Sequence, residues 1–490
     1  MRGTAPNPVG VERSEAEAVY DQGREVVVKV LVELSAQNGR LAEQVERLTE
    51  RVARQDERIA ELERDSRNSS TPPSQDPPGA PERKRPDPSG RAQGAQPGHP
   101  GRGRRLAPIE AVDELIDHWP DRCGCGHRFG EAEREPVGVP ARHQVWELPE
   151  ISVRVTEHRL NRLGCPDCGQ RARAELPAEV PRGAFGPRLE AAVASLAVRN
   201  RVSRRDTVEL LGELFGCALS AGTVDAILGR AGDALDSAYE ELLAHVRGAA
   251  AVNVDETGWR LKGGRRTLWG ALSSRAAVFR IAPDRHEREA AALLGEDFGG
   301  VVGSDRWWAY RGFDPGRRQL CWSHLIRDFT AHAEGLAAQK ESGERGLDIA
   351  RHLFRAWEQF QQDGDRRRLK RSAAPLRREL KALLRQGSKG KRHKLVRGFS
   401  NNLLKVWPAL WTFTEIDGVE PTNNRAERAL RGPVIHRKLS LGSQSEQGER
   451  TIERLLSASV TCRLQRRSLF SYLTDTLGAR ARDDPVPLLA

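Results

Sequence analysis

The sequence predicts a multidomain α+β protein. Three observations carry this expectation: a leucine heptad repeat near the start, two close cysteine pairs further on, and, beyond residue 249, apolar runs that end in acid and alternate with helix-like stretches. At 490 residues the chain is too long for one hydrophobic core. Hydrophobic residues at 38% and charged residues at 30% suit a protein with large solvated segments. The formal net charge of +11 favours a polyanionic partner, because neutralising phosphates releases condensed counterions. No apolar run approaches the roughly eighteen residues that span a bilayer, and the start of the chain lacks a signal peptide's apolar core. A cytoplasmic location without membrane partners is therefore expected. Seven cysteines make an odd count, with Cys217, Cys321 and Cys462 scattered, which argues for a reducing compartment and a metal rather than a disulfide framework.

The heptads define a coiled coil over residues 15–66. Leu34, Leu41, Leu48 and Leu62 share one heptad position, with Gln55 in the gap, and Asn38, Val45, Val52 and Ile59 share the other. β-Branched residues at a with leucine at d favour two strands, and Asn38 at an a position would fix register, so a homo-oligomer is expected. The alternative is an amphipathic helix packed on the chain's own core. Residues 67–108 are rich in Pro, Gly, Ser and Gln and read as a linker. Within residues 81–105, seven Arg or Lys stand against Glu82 and Asp87, a stretch able to follow a DNA backbone or to act as a solvated tether.

Residues 109–180 read as a zinc-binding module. Cys123 and Cys125 form one pair, Cys165 and Cys168 the other, and four thiolates from two tight turns suit a closed tetrahedral Zn²⁺ site. The first pair is one residue short, so His127 or His158 is an alternative ligand. Gln144 to Leu160 alternates like strands. Residues 181–245 are expected to be helical, with a helix-turn-helix: Ser203 caps a helix carrying Val208, Leu210 and Leu211, Gly216 breaks it, and Ser220 caps a second helix carrying Val224, Ile227 and Leu228. As a DNA reader the second helix would present Ala221, Thr223 and Asp225; an ordinary helical hairpin is the competing account.

Residues 246–475 carry the chemistry, with 476–490 as a tail. The order is three strands, helix, strand, helix, strand, helix, which implies a mixed sheet with a three-strand meander. Asp255 and Asp305 end two of the apolar runs. If those strands are neighbours, the carboxylates converge and repel unless a cation sits between them. Mg²⁺ is the natural occupant, and a third carboxylate would complete a two-metal site for in-line displacement at phosphorus. Glu420, Glu427 and Glu449 are the candidates, and spacing alone does not choose among them. Thr422 or Asn423 can cap a helix on which Asn424, Glu427 and Arg431 share one face.

The segments VDETGW, GSDRWWAY, CWSHLIRDF and PTNNRAERALRGPVIHRKLSLGSQSEQGER resemble the transposase of the insertion-sequence sixty-six type. The resemblance covers nearly the whole chain, including the QPGHPG segment in the linker. It implies a bacterial DDE transposase with an RNase H-like catalytic domain, whose acids fall on Asp255, Asp305 and Glu427. It also implies Mg²⁺-dependent cleavage at transposon ends and joining to target DNA, with Mn²⁺ as a substitute ion. His324, in the Cys-Trp-x-His element, becomes a supporting residue near the phosphates, and Asn424 flanks the glutamate. Residues 323–415 match the helical insertion such families carry before the glutamate. Within it, residues 366–397 hold fourteen Arg or Lys against the one acid Glu379, the densest candidate for DNA backbone contact. A nucleoid-associated protein working with accessory proteins of the same element is the corresponding expectation. The pair Cys123 and Cys125 departs from the family's two Cys-x-x-Cys pairs. Two other classes share part of this pattern: an RNase H-like nuclease or resolvase, which would make no joined product, and a zinc-containing regulator with a dead catalytic fold, against which the intact acid set argues.

Overall fold

The computed structural model describes residues 13–62, 105–389 and 394–489. The basic linker lies almost wholly outside the described residues. Helix α1 (Arg13–Tyr20) precedes α2 (Arg24–Leu62), which runs unbroken through the heptads. Leu41 and Leu48 on α2 are 56% and 60% exposed, so the helix does not bury its leucine stripe on its own chain.

The cysteine-rich segment holds one small hairpin, β1 (Arg162–Gly164) paired antiparallel with β2 (Arg171–Arg173). The alternating stretch from Gln144 to Leu160 forms no strand. Val145, Leu148 and Val155 are left exposed, because alternation makes a strand only where another strand accepts its hydrogen bonds.

Helices α3 (Pro187–Ala194), α4 (Arg204–Phe215), α5 (Ala221–Ala234) and α6 (Asp236–Arg247) follow. Ser203 Oγ accepts from the Asp206 amide and Ser220 Oγ from the Thr223 amide, as helix-capping serines do. Gly216 ends α4 at φ 62°, a left-handed position that costs glycine little. These helices are no separate body. Ala191, Ile227 and Leu242 share one core with Val252 and Phe279 of the sheet and Leu456 of a C-terminal helix.

The sheet contains β3 (Ala251–Leu261), β4 (Gly264–Leu272), β5 (Ala277–Ala282), β6 (Val301–Ser304) and β7 (Arg318–Leu320), in the order β5-β4-β3-β6-β7. The first three strands meander antiparallel, while β6 runs parallel to β3 and β7 parallel to β6. Helix α7 (Glu287–Leu294) makes the crossover to β6. The helix expected between β6 and β7 is absent; two single 3₁₀ turns, Trp308–Tyr310 and Pro315–Arg317, fill the connection. Gly312, Pro315 and Gly316 in this stretch deny it a longer helix.

The insertion comprises α8 (Trp322–Ala333), α9 (Ala337–Asp363), α10 (Arg366–Lys389), α11 (Lys394–Lys405) and α12 (Thr412–Glu415). It has its own core, built on Trp322, Phe329, Leu353, Leu380, Trp411 and Phe413, joined to the sheet at Val301 and Leu320. It also covers the β7 edge: Thr412 Oγ1 donates to the Arg318 carbonyl, and the Phe413 amide donates to Gln319 Oε1 at 2.9 Å. Helices α13 (Asn424–Ser440), α14 (Glu446–Leu464) and α15 (Leu469–Ala481) complete the chain. α15 crosses the expected boundary at 475, and Leu489 in the expected tail is fully buried.

The opposite sheet edge, β5, pairs with side chains of α14. The amides of Ala277, Phe279 and Ile281 donate to Thr461 Oγ1 (3.0 Å), Ser457 Oγ (2.9 Å) and Glu453 Oε1 (2.5 Å). Three acceptors at helical i, i+4 spacing match alternate amides of a strand, so the edge is closed without another strand.

Burial pushes the Glu453 carboxyl up to about 7, against its ordinary value of 4.5. The folded state therefore holds this proton more tightly than the unfolded chain, and the associated stability is lost as pH rises from about 4.5 to about 7. Glu453→Gln keeps an acceptor for Ile281. It is expected to gain stability relative to wild type as pH rises through that window. Urea midpoints near pH 5 and near pH 8 check this, and a pH-independent difference counts against a buried acid here.

Candidate active site

The β3–β6 register pairs Ala251 with Val301, Val252 with Val302 and Asn253 with Gly303. Continued by two residues, it brings Asp255 level with Asp305, one on β3 and the other just beyond the end of β6. Burial raises the Asp255 carboxyl well above the ordinary carboxylate range, and Glu256, Asp305 and Glu427 add to the shift. Asp305 is pushed up to about 6, by burial first and then by Glu256, against the Trp307 amide and the guanidinium groups of Arg285 and Arg306. The Trp307 amide donates to Asp305 Oδ1 at 2.8 Å and fixes that carboxylate in a local turn.

Glu256 follows Asp255 and faces the other side of the strand. Its side chain is 1% exposed, yet it is satisfied: Arg285 donates through Nε (3.0 Å) and Nη2, and Tyr310 donates through its hydroxyl. Arg285 in turn covers the Trp307 ring at 4.4 Å. Glu256 thus clamps the loop that follows Asp305. Sequence reasoning passed over it because an alternating acid looks like a solvent-facing one.

The third acid arrives on α13, in its first turn. Asn423 starts that helix, but its side chain does not cap it. Asn423 is fully buried; its Nδ2 donates to the Val254 carbonyl at 2.9 Å, and its amide donates to Cys321 Sγ at 3.2 Å. Asn253 Nδ2 donates to the Thr422 carbonyl at 3.3 Å, and the Trp322 amide to the Pro421 carbonyl at 2.9 Å. The segment 421–423 is therefore sewn to β3 and to the start of α8. Asn424 opens α13, three residues before Glu427. Only the tertiary contacts reveal that Asn423 is the tie.

His324, in the first turn of α8, is buried, and its pKa falls to about 3 through burial and the nearby Arg327 and Arg306, so the ring is neutral near pH 7. Its Nδ1 lies 3.4 Å from Glu427 Oε1. Neither atom makes a hydrogen bond. The other oxygen, Oε2, accepts from Arg327 Nη2 at 3.4 Å. Cys321 Sγ, His324 and Glu427 form a group able to hold a metal ion, with one ligand atom from each, all within 4.8 Å of one another. It is the one such group of three or more His, Cys, Asp or Glu among the described residues.

The four cysteines of the N-terminal module do not meet that criterion. Each pair instead sits in a turn of the same kind. The Cys123 amide donates to the His127 carbonyl and the Gly126 amide to the Cys123 carbonyl; the Cys165 amide donates to Gln170 and the Gly169 amide to Cys165. Gly126 and Gly169 both take positive φ. Backbone N–H groups lower the Cys125 and Cys165 thiols below their ordinary value. On α5, Thr223 Oγ1 is bonded to Ser220 and Asp225 is paired with Arg204, so two of the three expected base-reading residues are engaged within the chain.

The transposase IS66 family model matches residues 182–451. The chain belongs to the IS66 transposase family. That match spans the sheet, the three acids and the insertion, and so ties the family to the acidic cleft. A model described as a family of unknown function matches residues 6–105. Two similar proteins come from Sinorhizobium fredii (strain NBRC 101917 / NGR234): uncharacterized protein y4hP, 25% identical over 77% of this chain and 73% of its own, and uncharacterized protein y4jD, 25% identical over 75% and 76%. Among the described residues of this IS66-family chain, no helix is long and apolar enough to cross a membrane.

Removing the Asn423 side chain leaves the buried Val254 carbonyl without this donor. Asn423→Ala is expected to cost about 1–3 kcal/mol of stability and to speed amide exchange across residues 421–430. An unchanged denaturation midpoint would refute the tie.

Proposed function

We propose that the protein is a DNA transposase that cuts strands at the ends of its element and joins them to target DNA in a Mg²⁺-dependent reaction. The observation that supports this is the β3–β6 register, which if continued brings Asp255 level with Asp305, together with the effect of Asp305 and Glu427 on the Asp255 carboxyl. The strand order, with β4 antiparallel and β6 and β7 parallel in direction to β3, supports an RNase H-like catalytic domain.

The donors fit a divalent ion. Burial first and neighbouring acids second raise the Asp255 and Asp305 carboxyls, a cost that a cation relieves, and Glu427 Oε1 lacks a hydrogen-bond partner. When bound, Mg²⁺ or Mn²⁺ supplies Lewis-acid activation of the attacking oxygen and charge neutralisation at the departing one. The chain's own residues do the positioning. The Trp307 amide orients Asp305, Arg327 orients Glu427, and Asn423 keeps α13 against β3. His324, neutral near pH 7, adds no fixed charge beside Glu427.

DNA backbone contact falls best on α10. Arg367, Arg371, Arg378, Arg385 and Lys389 are exposed and recur at helical spacing, while Leu369, Ala373, Leu380 and Leu384 are buried on the other side. The stripe runs along about 33 Å of helix, long enough to follow several phosphates. Lys391 and Arg392 of the predicted cluster lie outside the described residues. Oligomerisation through α2 is supported by its exposed leucines, and zinc binding by the matched cysteine turns.

Purified protein with labelled element-end DNA and Mg²⁺ is expected to give cleaved and joined products. Asp305→Asn should reduce both by about a hundredfold or more, and equal cleavage by the two proteins sinks the proposal. From the same preparation, sedimentation should show an oligomer that Leu41→Lys with Leu48→Lys dissociates, and Cys165→Ser should remove about one zinc per chain. A monomeric wild type, or unchanged zinc, excludes the respective reading.

A further inference from the structure

The gap between His324 and Glu427 has dimensions of its own. Two ligand atoms each about 2.1 Å from one tetrahedral ion stand about 3.4 Å apart. His324 Nδ1 and Glu427 Oε1 stand 3.4 Å apart, both buried and both without a hydrogen bond. A direct hydrogen bond would be the ordinary use of such proximity, and it is not made. Cys321 and His324 lie three residues apart at the start of α8, which puts Sγ and Nδ1 on one face, and Sγ completes a set whose members lie within 4.8 Å of one another.

We propose that Cys321, His324 and Glu427 bind a transition-metal ion of the Zn²⁺ class, with three protein ligands and a fourth position for water or a phosphate oxygen. Sulfur, nitrogen and oxygen donors together select a borderline-soft ion and are poorly matched to Mg²⁺, which prefers oxygen throughout. The surroundings suit such a site. The Asn423 amide donates to Sγ at 3.2 Å and would steady a thiolate, and Arg327 holds the second carboxylate oxygen so that the first faces the ring. The two aspartates remain an all-oxygen pair. The cleft thus joins a hard subsite to a softer one through Glu427, which serves both. This second role for Glu427 rests on the donor geometry and does not require DNA chemistry.

The test uses the full chain, stripped of metal and titrated with Co²⁺ in the absence of DNA. Cobalt bound to a thiolate absorbs by charge transfer, and the N-terminal cysteine turns are expected to contribute to that band, so the readout is the difference between wild type and variants. Cys321→Ser is expected to lose about one equivalent of Co²⁺ and the part of the band due to one thiolate. His324→Ala and Glu427→Gln retain the sulfur and are expected to weaken that equivalent tenfold or more, while Asp305→Asn leaves it in place. Thermal unfolding of each variant checks the fold. If Cys321→Ser does not fold, the His324→Ala and Glu427→Gln titrations decide. Spectra and stoichiometry of the folded variants that superimpose on wild type overturn the proposal. That outcome would leave the cleavage test of Asp305→Asn untouched, so the two readings fail separately.

Discussion

The parallel pairing of β3 with β6 sets two buried carboxyls level with one another, and neighbouring groups answer that constraint. An acid at the end of a strand is cheap when it faces water. Asp255 inside β3 and Asp305 just past β6 are both buried, and burial first, then neighbouring acids, raises both carboxyls and costs folding free energy. The surroundings dilute that cost without removing it. Arg285 neutralises Glu256, the Trp307 amide satisfies one Asp305 oxygen, and buried Arg318 donates to Ser304 Oγ and to the Asp305 carbonyl.

The third acid has a different problem, one of chain entropy. It comes after five helices that carry their own core, and closing so long an excursion must be offset locally. The offset is concentrated at 421–423. Hydrogen bonds from Asn253, Trp322 and Asn423 meet there, beside the Trp322 indole, which is fully buried and donates to the Leu410 carbonyl at 2.9 Å. The insertion is therefore part of the site's framework, because its first helix provides both His324 and the anchor for α13.

Some of this could be read from the chain. Ser203, Gly216 and Ser220 act within one helical turn of themselves, so their capping roles follow from local order. Asp255 and Asp305 end apolar runs, and the runs revealed them. Other features depend on what lies far away in sequence. Gln144 to Leu160 has the alternation of a strand but forms none. Asn423 resembles a cap, yet its hydrogen bonds go to Val254 and Cys321. Glu453, Ser457 and Thr461 look like ordinary polar residues of a helix until β5 is laid against them. Glu427 needed the resemblance, since Glu420 and Glu449 carry the same charge in the same neighbourhood. All three are paired with an arginine, and what marks Glu427 is its effect on the Asp255 carboxyl, which exists only once the chain is folded.

The α14 ladder bears on when the sheet can first be complete. Asp255 and Asp305 leave the ribosome long before α14, and until α14 arrives the amides of Ala277, Phe279 and Ile281 have no acceptors from it. A bare sheet edge of this kind is a sticky and poorly ordered object. A polypeptide interrupted before residue 446 thus carries Asp255, Asp305 and Glu427 together with a sheet edge that lacks its side-chain acceptors.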